Sequence, residues 1–285
     1  MSTEFVPSRR TAAGGAGAAD AAVADSRIHP EKPRKDPVLR GAAVFGAFFF
    51  VFCLHQLDFN YTVLFQGTWK FIQSFALMFP PNASEWQHVL AAALETLQIA
   101  LVGTVLAVCI AFFLAFLAAE NISPRTAAAV KGFASFLRSI PTLVWALIFI
   151  VAVGMGPFPG ILAICTHATG MLTKVFSQSI EEVEEGVIEA MRATGASWLQ
   201  IVCQGILPCV FTSFLAWSVF RLEVDIGESS VLGVVGAGGI GFEIANAMRA
   251  YEFDSACFVA LVIFAMVFTV ELCSNRLKTK LRRRV

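Results

Sequence analysis

Residues able to do chemistry are sparse in this 285-residue chain, and most fall in three places. The first is the acidic run Glu181-Glu182-Val183-Glu184-Glu185, continued by Glu189 and Arg192. The second is Arg221, Glu223 and Asp225, followed by Glu228, Ser229 and Ser230. The third is Gly236-x-Gly238-Gly239-x-Gly241, and a single His167 lies apart with Thr166 and Thr169. Each allows a different chemistry. Carboxylates and an arginine at helical spacing make a face that another protein can grip. A guanidinium at a membrane edge either pairs or snorkels, or it contacts an oxyanion, whose geometry it matches. The glycine pattern is literally the dinucleotide fingerprint, but that motif needs a preceding strand and a βαβ unit, and neither is suggested here. No nucleophile–base pair, metal-ligand constellation or Walker loop can be found, so the chain reads as a non-enzyme. Seven cysteines form no C-x-x-C and are expected to be small buried hydrophobes rather than metal ligands or a disulfide framework.

The elements that must position these residues are set by composition. Apolar residues make up 57% of the chain and charged ones 15%, too few to cover a soluble surface. Lys+Arg and Asp+Glu both number 21, so no bulk charge draws nucleic acid. Charges are absent between Arg40 and Asp58, Glu95 and Glu120, Arg138 and Lys174, Arg192 and Arg221, and Asp254 and Glu271. A crossing helix takes about 20 apolar residues. The runs 41–57, 96–119 and 255–270 each fit one crossing. The run 139–173 is too long and contains Gly154-Met155-Gly156-Pro157-Phe158-Pro159-Gly160, which predicts a tight helical hairpin. A further crossing is expected from about 206. The expectation is an all-α polytopic membrane protein with about six transmembrane helices.

Basic residues in short loops orient the chain. They precede the first span (Arg27, Lys32, Arg34, Lys35, Arg40), follow the second (Arg125, Lys131, Arg138) and fill the tail, whereas loop 58–90 has only Lys70. Both termini are expected in the cytoplasm. Residues 1–37 read as a disordered cytoplasmic tail, 38–275 as the membrane domain, and 276–285 as a basic tail lying on lipid headgroups.

The acidic stretch then falls on the cytoplasmic side, against the usual charge trend. On a helix Glu185, Glu189 and Arg192 share one side, and Ala190, Ala193 and Ser197 form a small-residue stripe. Gly195 suits a left-handed helix end, and Ser197-Trp198-Leu199-Gln200 has capping-box spacing. The product is helix, sharp turn, helix: either a solvated loop helix or a knob for a partner. Glu189-Ala190-Met191, Gly195 and Ile206-Leu207-Pro208 resemble the E-A-A, G, I-x-L-P signature of ABC importer permeases. Met191 stands where that family has a second Ala, and Gly205 where Ile is usual. The resemblance implies that this coupling loop, with Ala196 in its turn, docks on a cytoplasmic ATPase subunit.

Arg138-Ser139-Ile140-Pro141-Thr142, the turn Val153–Phe158, Arg192-Ala193-Thr194-Gly195-Ala196 and Val231–Gly241 resemble the phosphonate importer permease subfamily over roughly residues 85–285. This implies a permease subunit of the bacterial cytoplasmic (inner) membrane that works as a homodimer. It implies two ATPase subunits carrying ATP and Mg, a substrate-binding protein outside, and no cofactor in this chain. The cargo implied is phosphonate or a related phosphorus oxyanion such as phosphite or a phosphate ester. One departure matters: Gly227-Glu228 stands where the subfamily has a basic residue and Ser, and a carboxylate there is unfavourable if that loop touches the anion. Arg221, Glu223, Ser229, Ser230, Gly236, Gly238, Gly239 and Gly241 are candidate pathway or gate residues, with close helix packing as the alternative for the glycines. His167 is either satisfied by a neighbouring helix or lines the pathway. From 221 to 254 two Arg face six Asp/Glu, so this face does not attract free anions by itself. A methionine-type importer and an ion-coupled secondary transporter are the alternatives; the spans lack the paired acids and repeats expected of the latter.

Overall fold

The computed structural model describes residues 37–57 and 61–282, and every element among them is helical. The tail expected over 1–37, apart from Pro37, and the terminal Arg283 and Arg284 lie outside the described residues. The chain divides into two units, Met1–Gly67 and Thr68–Val285.

In the first unit α1 (Pro37–Gln56) is apolar on all sides, with Phe45, Phe48 and Phe49 exposed as in a helix meant for lipid. The region 58–90 is not the loop expected from the sequence, because α2 (Tyr61–Leu77) begins there. Gln66, Lys70 and Gln73 are spaced four and three apart on it, so its polar residues share one face of a helix and do not signal a coil.

In the second unit α3 (Trp86–Ala118) begins ten residues before the run 96–119, carrying Glu95 inside the helix. Its buried seam is made of small residues, Ala100, Gly103, Thr104, Ala107, Ala111 and Ala115. A β-carbon on Gly103 would stand 2.8 Å from Ile164, so glycine is what lets α3 lie directly on α6 (Pro157–Glu181). The same logic holds for Gly170, where a β-carbon would meet the Ala134 carbonyl at 2.6 Å and push away α4 (Pro124–Ser139). Helix α6 is thus the central post of the unit. The hairpin expected around 154–160 is present: α5 (Thr142–Val153) stops and α6 starts at Pro157.

Helices α4 and α5 meet at a bend of 85°. Pro141 causes it, lacking the N–H that would continue the ladder, and the Trp145 indole caps the freed end by donating to the Leu137 carbonyl at 3.1 Å. Beyond α6 come α7 (Glu185–Ala193), the single turn α8 (Trp198–Gln200), a π turn over Ile201–Ile206, and α9 (Leu207–Leu232). A 3₁₀ turn (Gly233–Val235) leads to α10 (Ile240–Arg249) and α11 (Phe253–Arg282). The segment expected to cross from about 206 is part of one helical column from Trp198 to Val235.

Among the described residues, three helices are long and apolar enough to cross a membrane, or four if the bent pair α4–α5 counts as one crossing. The core beneath α7 joins Leu172, Phe176 and Ile180 of α6 to Ile206, Val210 and Phe214. Phe176 and Phe214 stack there at 4.1 Å between ring centres. All the described cysteines are free, but only Cys257 is buried; Cys109, Cys203, Cys209 and Cys273 are exposed. The expectation of buried cysteines is corrected by the simple fact that lipid-facing positions are as apolar as core ones, so hydrophobicity alone does not separate them.

Candidate functional site

Two sets of residues are assembled with unusual specificity. The first is the protrusion between α6 and α9. Helix α7 runs over Glu185–Ala193 with Glu185 in its first turn and Arg192 in its last, the arrangement its dipole favours. Gly195 takes φ +78°, the left-handed geometry that a β-carbon resists, and the chain reverses there. Ser197 then caps α8: its amide donates to Gln200 Oε1 at 2.8 Å and its own side chain receives the returning bond, completing the expected capping box. Glu185, Glu189, Ala190, Arg192, Ala193 and Ser197 are all exposed, and so are the large apolar Trp198 and Leu199.

The protrusion is anchored by Ile188, with Val183, Met191 and Ala196 partly buried against the same core. Ile188 alone is buried in α7, packing on Ile201 and Val202. Gly205 faces Met191, and a β-carbon there would lie 3.4 Å from it, an ordinary packing contact, so the two departures from the family signature are neighbours in space. Leu207 and Pro208 have a mechanical effect. Pro208 has no N–H, and the Leu207 amide bonds the Val202 carbonyl five residues back, which produces the π turn between the protrusion and α9. A cavity of about 370 Å³ bounded by Ser179, Glu184, Val187, Cys209 and Ser213 lies between α7 and α9. On the α6 side the mounting is ionic. Lys131 bridges Glu120 at 2.7 Å and Glu181 at 2.8 Å, while Glu181 also accepts from the Glu120 amide at 2.8 Å.

The second set is an ion cluster in the middle of α9. Arg221, Glu223 and Asp225 do not end a helix: the helix Leu207–Leu232 runs through them. Arg221 and Asp225 are 3% and 0% exposed. The Arg221 Nη2 atom lies 2.5 Å from Asp225 Oδ1, 3.1 Å from Glu228 Oε2 and 3.3 Å from His167 Nδ1. Since a guanidinium only donates, His167 Nδ1 presents its lone pair there. Thr104 of α3 donates to Asp225 Oδ2 at 2.7 Å, and Thr142, the first residue of α5, donates to Glu228 Oε2 at 2.7 Å. Four helices are therefore tied through one arginine. Inside a membrane such charges persist only when paired in this way.

Other candidates separate from this cluster. Glu223 points to α11, accepting from Ser274 at 2.6 Å and Lys278 at 2.7 Å. Ser229 donates to the Thr96 carbonyl, and Ser230 to the Ile226 carbonyl one turn back, both at 3.2 Å. The glycine segment packs against α3 and α6. Thr96 Oγ1 accepts from the Ile240 amide at 2.8 Å, in the place a β-carbon on Gly239 (φ +73°) would need, and a β-carbon on Gly241 would collide with the Ser230 carbonyl. The Gly156 amide donates to the Gly236 carbonyl at 3.0 Å, and a β-carbon on Gly238 would lie 2.8 Å from Glu95. Where α3 and α11 begin and α10 ends, a cavity of about 470 Å³ is lined by Glu85, Glu243, Glu252, Asp254 and Asn246. It is acidic, in keeping with the charge count of 221–254.

Sequence reasoning placed Arg221 and His167 among the candidates but left out of the site Asp225 and Glu228, four and seven residues beyond Arg221 on the same helical face. That spacing was a usable signal. Thr104 and Thr142 carried none, since only the packing of α3 and α5 brings them in.

Comparison with known proteins places this architecture. Residues 107–285 match the family described as binding-protein-dependent transport system inner membrane component. The putative phosphite transport system permease protein HtxC of Stutzerimonas stutzeri is 38% identical over 212 residues, 74% of this chain and 74% of that protein. The phosphate-import permease protein PhnE of Mycolicibacterium smegmatis is 37% identical over 218 residues, 76% of this chain and 41% of that protein's length. Among solved structures, an inward-facing MetNI methionine ABC transporter matches with a TM-score of 0.60 at 21% identity, covering 70% of this chain and 99% of that one. The chain belongs to the binding-protein-dependent transport system inner membrane component family.

Proposed function

We propose that this chain is the membrane-spanning permease of an ATP-driven importer for phosphonate or a related phosphorus oxyanion, delivered by a separate binding protein. The observation that carries the reading is the protrusion: an exposed acidic and small-residue helix, a glycine reversal and a capped restart, packed on the core through Ile188. A permease of this kind is not itself an enzyme, and ATP hydrolysis belongs to a separate subunit. The names of relatives at 37–38% identity, which concern phosphate and phosphite, support the cargo class.

The chain works as a homodimer over two ATPase subunits, which bind ATP and Mg. Helices α1, α3, α5, α6, α9 and α11 make six crossings of the bacterial inner membrane, with α4 and both termini on the cytoplasmic side. ATP-driven closure of the ATPases pushes Glu185, Glu189, Ala190, Arg192, Ala193 and the turn Gly195-Ala196-Ser197. The π turn before Leu207 and Pro208 passes part of that motion to α9. Arg221 with His167 lies on the anion's path, and the glycines 236–241 form the closing end.

The test is copurification of the ATPase with Glu189→Lys and Gly195→Asp permeases. Both are expected to fold, to lose the ATPase and to lose uptake. Full ATPase binding and uptake by both variants, or labelling of 181–197 from outside the cell, overturns the reading.

A further inference from the structure

Glu228 is the member of the Arg221 cluster that burial does not lock in place. Asp225 is 0% exposed in its side chain and held by Thr104, so it is a permanent partner of the guanidinium. The Glu228 side chain, one turn further on, keeps 30% of its surface exposed. Its Oε2 nevertheless accepts from both Arg221 Nη2 and Thr142 Oγ1. A guanidinium and a hydroxyl converging on one oxygen, at a point open to its surroundings, are what a tetrahedral oxyanion requires. The arginine also has unused capacity. Its Nε is buried without an acceptor, and Nη1 reaches only the Met171 sulfur at 3.6 Å, a weak partner.

We propose that Glu228 is a tethered stand-in for the transported phosphorus oxyanion, which displaces it from Arg221 and Thr142 while the carboxylate swings toward the open side. This rests on the importer reading above and names the contact within it. Before and after the exchange the guanidinium faces two acidic groups, so no additional anion is stranded in the desolvated site. The competing carboxylate also keeps the anion's hold loose, which a pathway needs if its cargo is to leave again. Thr142 opens α5 directly after the 85° bend, so the exchange unties α9 from the bent pair and links occupancy to helix movement. An acid at this position is then part of the site, where the sequence had suggested a liability.

The test uses the permease–ATPase complex in lipid nanodiscs without nucleotide, titrated with radiolabelled methylphosphonate. Glu228→Gln keeps an acceptor for Thr142 while removing the competing charge, and is expected to bind about tenfold tighter than the native chain. Glu228→Ala is expected to gain similarly, and adding Arg221→Lys to Glu228→Gln to abolish the gain. Equal affinity of native, Gln and Ala proteins in intact complexes, or a gain that survives loss of Arg221, overturns the exchange. Loss of the ATPase from the native complex would instead count against the importer reading, so the two failures are distinguishable.

Discussion

The protrusion at 181–200 and the ion cluster at 221–228 use the same residue types in opposite ways. In the protrusion Glu185, Glu189 and Arg192 are exposed and their charges remain available to another surface. In the cluster Arg221, Asp225 and Glu228 pair with one another, helped by Thr104, Thr142 and His167, and only part of the guanidinium is left without an acceptor. The difference lies in what each set is mounted on. The protrusion rests on Ile188, with Val183, Met191 and Ala196 partly buried beside it, and on a π turn, with a cavity between α7 and α9. The cluster sits among four packed helices and can change only if those helices change with it. Charge that is presented makes an interface; charge that is paired internally makes a brace.

The largest expected effect tests the brace. Arg221→Leu strands the fully buried Asp225 without its partner, and breaking such a buried pair costs roughly 3–5 kcal/mol. Detergent-solubilised protein should aggregate at markedly lower temperature, followed by size-exclusion chromatography. The double replacement Arg221→Leu with Asp225→Leu should recover part of the loss, because it removes the stranded charge together with its partner. Glu189→Ala should leave the same melting curve unchanged. If Glu189→Ala proved as destabilising as Arg221→Leu, the distinction between presented and paired charge would fall.

A smaller effect sharpens the comparison at the other end of α9. Gly239→Ala places a methyl where Thr96 Oγ1 receives the Ile240 amide, and does so at a φ of +73°. Strain of this kind costs about 1–3 kcal/mol. A Thr96→Ala change in the same background removes the obstructing oxygen and should return part of the lost thermal stability. No such recovery would mean that the backbone angle alone carries the cost.

Much of the protrusion was legible in the sequence, because it is local. Gly195, the Ser197–Gln200 box and the spacing of Glu185, Glu189 and Arg192 act within a few residues, and each has the geometry that its type dictates. The hairpin at 154–160 was legible for the same reason. The brace was not, because Thr104 and Thr142 lie 121 and 86 residues from the carboxylates they hold. Arg221 with its neighbours gave no sign that the helix runs on to Leu232, because the partners that hold these charges are distant in sequence. Glu95 misled at the start of α3, and the polar face of α2 passed for a loop. A charge inside an apolar helix is held where the fold supplies its partner, as Thr104 and Arg221 do for Asp225.

The smallest expected effect concerns the joint between the two regions. Ser197→Ala removes one side of the capping box at the start of α8, a loss of about 1 kcal/mol confined to the first turn. That is too little to unfold the bundle, and the melting temperature should stay within a few degrees of the native value. The turn between α7 and α8, however, is where a push on the protrusion must become a push on α9. With the restart frayed, the ATPase should still copurify, since Glu189, Ala190 and Arg192 are untouched. ATP hydrolysis should then continue while uptake falls several-fold, a loss of coupling rather than of binding. Ser197→Thr, which keeps a capping hydroxyl, should restore uptake. Equal uptake by the Ala and native proteins would mean that the motion reaches α9 through the Ile188 contact instead, making the packed anchor the lever and the cap merely its edge.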